Sequence, residues 1–354
     1  MRKVSSFVIV FLLLSGIFVI NPNIPNPFIL ENVKARTLYV GGTGQGNFST
    51  IQSAINAANN GDRIIVANGT YNEQIEVNRS IIIMGMSNIN TKVIGGFNIS
   101  KTNVTISGFN ITSGYQWDPD GTGLGGYFKS GIRVASNNVS IISTNISSIL
   151  GGQGGTGPGY IKGGNGGNAY GIEGQYLSNM SLFKLNINNI KGGTGGTGGA
   201  YAYGGDGGDS YCIYFTNSVY CSIYSNYINK SSGGNKGLAG DFGSDGFEGE
   251  GNGVGFTNVN KSNLHTCHIT NNMNYGIVTI DSYNNVFYNN YLNNSNNAYD
   301  NGNNKWNTSE IKNKNIIDGP YIAGNFWSDY NGTDLNNDGY GDLGLPFNSS
   351  GGIV

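Results

Sequence analysis

Short apolar strands punctuate the chain at Ile81-Ile82-Ile83, Val104-Thr105-Ile106, Val139-Ser140-Ile141, Met180-Ser181-Leu182, Cys221-Ser222-Ile223, Ser262-Asn263-Leu264 and Val286-Phe287. Apolar and small polar residues alternate in them, the period-two pattern of a strand with one buried face. Their spacing says more than their composition. Ile83 to Ile106 is 23 residues and Leu264 to Val286 is 22, whereas Ile141, Leu182, Ile223 and Leu264 are 41 apart at each step. The longer step is a basic coil of about 22 residues plus an insertion of about 18. Strands this short, joined by Asn- and Gly-containing turns, predict an all-β, single-stranded, right-handed parallel β-helix. Nine or ten coils at about 4.8 Å each would make a rod roughly 45 Å long. A β-sandwich is the rival fold, but its hairpins would carry short regular loops and not a repeated long insertion. Asn suits the corners because it tolerates the left-handed backbone conformation. Asn98, Asn110, Asn145, Asn186 and Asn226 are therefore expected to stack as a ladder. The open first coil needs a cover, since a bare strand edge invites aggregation. Residues 49–58, with Gly61 beyond their end, read as a short amphipathic helix that plugs it.

The three insertions, at about 151–168, 192–209 and 233–250, are glycine-rich and in register. Gly152, Gly155, Gly164 and Gly167 recur 41 residues later as Gly193, Gly196, Gly205 and Gly208, and again as Gly234, Gly237, Gly246 and Gly249. A second column (Gly151, Gly154, Gly163 and Gly166, then Gly192, Gly195, Gly204 and Gly207) becomes Gly233, Lys236, Asp245 and Glu248 in the third copy. A flexible loop does not need glycine at every third residue. Period three is that of an extended polyproline-II-type helix, and glycine on an inward face lets such helices pack closely. Each insertion is expected to be a hairpin of two extended glycine segments, stacked into a bundle beside the rod, with the third copy outermost. At the hairpin tips Tyr160, Tyr201 and Phe242 again stand 41 apart. Such an aromatic column suits sugar rings or a partner surface, or simply covers the bundle's end. A further insertion after Ile106 carries Tyr115, Trp117, Tyr127 and Phe128 with Asp118 and Asp120, and is expected to widen the same surface.

Composition narrows the partners. With 11% charged residues and a net charge of −2, nothing basic is present to track a phosphate backbone, so nucleic acid is not an expected partner. The 59 glycines argue against a helix-rich enzyme, and the 12% aromatic content argues against simple disorder. Arg2 and Lys3 precede an apolar run from Phe7 to Ile20, which reads as an export signal. Val33 and Ala35 offer a small-residue pair for cleavage before Arg36, and an uncleaved anchor is the alternative. No later segment could span a bilayer, so a secreted or cell-surface protein is expected. Three cysteines, Cys212, Cys221 and Cys267, give no disulfide framework, although one bridge with a leftover thiol stays open. The domain reading is a leader over 1–35, the solenoid over 36–300 and an Asn/Asp-rich segment over 301–354. Asn-x-Ser/Thr sequons at Asn47, Asn68, Asn98, Asn138 and Asn331 are candidate glycan acceptors on an exported chain.

The stretch Ile51-Gln-Ser-Ala-Ile-Asn-Ala-Ala58, then Gly61-Asp62, then Asn68-Gly-Thr-Tyr-Asn-Glu73 resembles the opening of NosD-like β-helix proteins, of the pectin-lyase-like superfamily with PbH1-type repeats. Gly319-Pro-Tyr-Ile-Ala-Gly-Asn-Phe-Trp-Ser-Asp-Tyr330 and the following Asp334 to Asp342 look like that family's terminal signature, over nearly all of 37–348. The signature usually continues further, so the resemblance implies that the chain is short by some residues. The family name refers to copper, but the resemblance implies fold more than chemistry.

Three groups of residues could carry chemistry. Asp334, Asn336, Asp338, Tyr340 and Asp342 have the oxygen spacing of a calcium loop, with Asp329 as an added ligand and Leu345 where a bidentate Glu would stand. A structural Ca2+ pinning the C-terminal segment is expected; an ion-free turn is the alternative. His265, Cys267 and His268 are the one candidate for copper or zinc, yet His265 aligns with ordinary coil positions and the extended chain turns His268 away. Asp206, Asp209, Asp241, Asp245, Glu248 and Glu250 would have to serve a polysaccharide lyase or hydrolase, but they sit on glycine segments without a basic partner. Glu73 resembles an element of pectin methylesterases without their other motifs. The reading is therefore a binding, adhesion or structural module facing surface glycans or a cell-surface protein. An extracellular polysaccharide-degrading enzyme and a NosD-like copper protein are the alternatives.

Overall fold

The computed structural model describes residues 35–117, 125–335, 341, 348–349 and 352–353. Strands join into three rows of parallel partners, one for each face of a right-handed β-helix. The first row runs Thr37–Val40, Arg63–Val66, Ile82–Gly85, Val104–Ser107, Val139–Ile142, Ser181–Phe183, Ser222–Tyr224, Asn263–His265, Tyr283–Tyr288, Asn303–Lys305, and so counts ten coils. The second row starts in the first halves of Gly69–Val77 and Thr91–Ile99, passes through Asn110–Ser113 and ends at Phe326–Trp327. The third starts at Gly69–Val77 and ends at Asn296–Asp300. Pairing thus runs past residue 300, into the Asn/Asp-rich segment.

The spacing read from the sequence is the spacing of the core. Ile83, Ile106, Ile141, Leu182, Ile223, Leu264 and Phe287 stack in register down the first row, each with no exposed surface. Each such burial contributes about 1.5–3 kcal/mol. Leu264 pairs with Phe287 and not Val286, so the last step is one residue longer than the apolar pattern suggested.

Corners repeat in columns too. Left-handed φ recurs at Ser143, Lys184, Ser225 and Thr266, and again at Ser148, Asn189, Lys230 and Asn271. Most occupants are not Asn, so the coil geometry imposes the conformation and accepts its cost of about 1–2 kcal/mol per residue. The expected Asn ladder needs correction. Asn110, Asn145 and Asn186 are in register, but the next residue in that column is Tyr227. Asn98 lies in the third row between Glu76 and Arg133, and Asn226 is buried inside a corner. The working ladders are inward-turned corner amides: buried Asn226 Oδ1 accepts from Leu185 N at 2.8 Å, buried Asn290 Oδ1 from Cys267 N at 3.0 Å, and half-buried Asn325 Oδ1 from Asn290 N at 3.1 Å. A buried backbone N–H at a strand break must find an acceptor, and the amide of the next coil provides it.

The short helix forms at Ile51–Ala57 and buries Ile51, Ala54 and Ile55 against the first coils. Thr50 caps it through Ser53 N at 3.1 Å, and Glu73 accepts from Ile51 N and Gln52 N, both at 2.9 Å. The esterase-like Glu73 is therefore an anionic cap on the helix N-terminus.

Candidate binding surface

The three insertions form one hydrogen-bonded bundle. Within each hairpin the arms are tied by Gly164 N to Gly155 O, Gly205 N to Gly196 O and Gly246 N to Gly237 O, at 2.8, 2.8 and 3.1 Å. Between hairpins, Gly193 N bonds Gly167 O and Gly234 N bonds Gly208 O, both at 2.8 Å. The second glycine column links each arm to its successor: Gly154 N to Thr194 O at 2.8 Å, then Gly195 N to Asn235 O at 2.9 Å. Donors recur every third residue because each arm turns once per three residues.

Contact geometry explains why these positions are glycine. A Cβ on Gly193 would lie 1.8 Å from Gly152 O, and one on Gly196 2.0 Å from Gly155 O. In the second column, a Cβ on Gly163 or Gly204 would meet the next hairpin's Gly196 O or Gly237 O, both at 2.0 Å. The third hairpin has no successor, so Asp245 stands where Gly163 and Gly204 stand in the others. Its unpaired donors are taken by its own carboxylates: Lys236 N by Glu248 Oε2 at 3.0 Å and Ala239 N by Asp245 Oδ1 at 2.9 Å. Lys236 Nζ also pairs with Asp245 Oδ2 at 3.0 Å.

The other insert acids hold backbone as well. Asp206 Oδ1 accepts from Phe247 N and Asp209 Oδ1 from Glu250 N, each at 2.9 Å. They line an open groove of about 530 Å³ with Glu250, Phe128 and Phe247. Burial, and then the Glu250 charge, raise the Asp209 carboxyl above the usual carboxylate range, although Glu250 N pulls the other way. The hydrogen bond from Lys162 leads in lowering Asp206. These carboxylates are stitching between hairpins, and two of them do have a basic partner that the sequence did not show: Lys162 Nζ reaches Asp206 Oδ2 at 2.9 Å and Lys236 Nζ reaches Asp245 Oδ2 at 3.0 Å.

At the far end the expected column is present. Tyr160 stacks on Tyr201 with centroids 5.5 Å apart, and Tyr201 on Phe242 at 4.8 Å and 6°. The three rings stay 78%, 54% and 75% exposed. Stacking occupies both faces of Tyr201, so solvent sees a ribbon of ring edges with two free end faces. Exposed Ile161, Tyr203 and Leu238 flank it, held by Gly199 N to Ile161 O, Gly163 N to Tyr203 O and Gly198 N to Leu238 O. A cluster of exposed rings and aliphatic chains on a rigid mount is an unusual surface for water to cover.

Tyr115 and Trp117 do not join that column. Tyr115–Trp117 pairs antiparallel with Phe128–Val134, at the rod. Tyr115 OH donates a short hydrogen bond to Glu76, whose other oxygen accepts from Asn98 Nδ2 at 2.8 Å. The Trp117 ring lies edge-on to Phe128 at 5.0 Å, under the Arg133 guanidinium at 4.4 Å. Arg133 also approaches Glu173 at 3.6 Å, where Ser130 Oγ donates at 3.0 Å. Glu76, Asn98, Arg133 and Glu173 are consecutive rungs of one row. Sequence reading missed this polar row because its spacings, 22, 35 and 40 residues, change across the first insertion. Burial is the main force raising Glu173; Ser130 and Arg133 oppose it. Burial, with Glu76 next, pushes Tyr115 up to about 12.

Of the calcium-like residues, Asp334 is described and exposed, while Asn336, Asp338, Tyr340 and Asp342 lie outside the described residues, as do Asp118 and Asp120. Asp329 accepts from Asn297 Nδ2 at 2.6 Å. Among the described residues no helix is long and apolar enough to cross a membrane.

Residues 164–332 match the model of the NosD family, described as a periplasmic copper-binding protein. Similar solved structures include pectate lyase Pel9A, at 15% identity over 78% of this chain and 81% of that one, with a TM-score of 0.42. The pectin methylesterase from Aspergillus niger aligns at 13% identity over 76% and 85%, with a TM-score of 0.36. A GH136 lacto-N-biosidase from Eubacterium ramulus aligns at 8% over 76% and 68%, with a TM-score of 0.35. No curated protein matches the chain in sequence.

The family description prompts a test of the described residues as copper ligands. Copper favours thiolate, thioether and imidazole. Cys212, Cys221 and Cys267 are unbridged and buried in the rod, which removes the open alternative of a disulfide among them. Burial pushes Cys212 and Cys267 up to about 12 and Cys221 to about 11, so all three stay protonated. His265 is a rung between Tyr224 and Tyr288 at 5.5 and 4.7 Å, and His268 a rung between Tyr227 and Tyr291 at 4.8 and 5.6 Å. No three His, Cys, Asp or Glu side chains converge among the described residues. That set does not fit copper, and no copper chemistry follows from it. The fold is a right-handed parallel β-helix, and over residues 164–332 the chain is similar to the NosD family.

Proposed function

We propose that this is an extracytoplasmic binding or adhesion module whose contact surface is the aromatic tip of the glycine bundle, directed at surface glycans or a cell-surface protein. The observation that carries it is the stacked and exposed Tyr160–Tyr201–Phe242 column on three hairpins knit together by backbone hydrogen bonds. Ordering so many glycines costs roughly 0.5–1 kcal/mol each relative to Ala. A mount built at that cost, carrying exposed rings at its end, is consistent with a role for the rings. An extracytoplasmic setting is supported by the periplasmic description of the NosD family.

A polysaccharide lyase or hydrolase is the second reading, and its candidate acids are the bundle carboxylates already engaged with backbone N–H groups. Pull-down with insoluble polysaccharides and whole cells tests the first reading. The parent protein should bind, and Tyr201→Ala with Phe242→Ala should abolish binding while circular dichroism of the rod stays unchanged. Equal binding by both proteins sinks the tip as the contact surface. Release of reducing or unsaturated sugar from any polysaccharide by the parent would favour the enzyme.

A further inference from the structure

The first residues of the rod converge on one buried carboxylate. Asp62, whose side chain is 1% exposed, receives four donors. Arg36 N reaches Oδ1 at 2.8 Å, Asn59 N reaches Oδ2 at 2.8 Å, and the Arg36 guanidinium reaches Oδ2 through Nη2 at 2.7 Å and Nε at 3.1 Å. Arg36 O accepts from Arg63 N at 2.8 Å, immediately before the first strand enters its ladder at Thr37. The compact unit itself begins at Ala35, and Ala35 and Arg36 are exposed. In the sequence, Val33 and Ala35 stand third and first before Arg36, behind an apolar run.

We propose that the chain is cut between Ala35 and Arg36 during export, and that the freed α-amino group of Arg36 is held as an ammonium by Asp62. The cutting agent is an export peptidase that accepts small residues at those two positions and acts before the chain folds. One water is consumed: the Ala35–Arg36 amide bond breaks, Ala35 leaves with a carboxylate, and the Arg36 nitrogen keeps its pair and takes up a proton. The nitrogen is already placed 2.8 Å from Oδ1, so cutting changes a neutral donor into a charged one without moving it. A charge-assisted bond is about twice as strong as a neutral one, and it forms where water is excluded from the carboxylate. The mature end of the chain would thereby fasten the first coil.

This inference rests on the extracytoplasmic reading but not on what the protein binds. Intact-mass analysis of the exported protein should show a chain beginning at Arg36. An exported chain that keeps residues 1–35, or starts elsewhere, overturns the inference and leaves the export reading standing. A second measurement compares three folded proteins: one beginning at Arg36, one beginning at Ala35, and one with acetylated Arg36. The first should have an unfolded fraction about tenfold lower than either other, the difference between a charged and a neutral hydrogen bond. Asp62→Asn should erase the difference among the three without altering the site of cutting. Equal stability of the three parent chains overturns the lock.

Discussion

Replacing Gly196 by alanine is a stringent probe of the glycine bundle. Gly196 N donates to Gly164 O at 2.7 Å, and its own carbonyl accepts from Gly205 N at 2.8 Å, so it ties three arms together. Its new Cβ would sit 2.0 Å from Gly155 O and 2.6 Å from Gly155 C, both backbone atoms. No rotamer change can relieve that contact, so the arms must separate. Overpacking of this kind costs about 1–3 kcal/mol. Stretching two backbone hydrogen bonds adds about 0.5–1.5 kcal/mol each. The smaller unfolded-state entropy of alanine returns up to about 1 kcal/mol. The net loss is about 1–6 kcal/mol, which corresponds to amide exchange at least about 5-fold faster where exchange follows local opening. The assay is residue-resolved hydrogen exchange at Gly205 and Gly237, with Ile141 and Ile223 in the rod as internal references. Gly324→Ala is the control, since its Cβ would meet nothing within 4 Å. Unchanged exchange at Gly205 and Gly237 would refute the close-packed bundle.

Other expectations follow from the same geometry. Glu73→Ala removes two hydrogen bonds from the helix N-terminus and should cost about 1–2 kcal/mol in thermal melting, with no effect on binding. Glu173 is raised by burial, so the folded protein binds a proton there that the unfolded chain has already released. Stability from this group is therefore full below the ordinary carboxylate range and is lost as pH rises through the raised value. Glu173→Gln should flatten that part of the stability–pH curve, and an unchanged curve would argue against a buried, strained carboxylate. Thiol reagents should fail to label Cys212, Cys221 and Cys267 until the protein unfolds, because burial keeps all three protonated. If Asp334, Asn336, Asp338, Tyr340 and Asp342 hold Ca2+, chelator should lower the melting temperature, by about 2.7 kcal/mol of stability when calcium is at 100 times its Kd. No shift argues for an ion-free turn.

Much of this molecule was legible because a solenoid writes its spacing into its sequence. Ile83, Ile106, Ile141, Leu182, Ile223 and Leu264 are one stack, and their intervals gave the coil before any contact was known. The glycine columns were legible for the same reason: a position that cannot hold a Cβ leaves a periodic mark. The outermost hairpin announced itself by losing that mark at Lys236, Asp245 and Glu248. What stayed hidden has no such period. The corner amides are hard to place from sequence, since Asn is common and no period separates those that turn inward, such as Asn226, Asn272, Asn285 and Asn290, from those that face solvent. Tyr115 and Trp117 were grouped with the tip on aromatic character alone, whereas an antiparallel pairing with Phe128–Val134 holds them at the rod. Asp62 shows in the sequence only as part of the Gly61-Asp62 motif, because its partners, Asn59 just past the helix and Arg36 before the first strand, follow no period.

The central claim, that the bundle exists to present its tip, is tested most directly by a glycan array probed in parallel with the parent protein and with Tyr201→Ala, Phe242→Ala. The account predicts that the parent marks a restricted class of glycans and that the variant marks none of them. Identical patterns from the two proteins would contradict it.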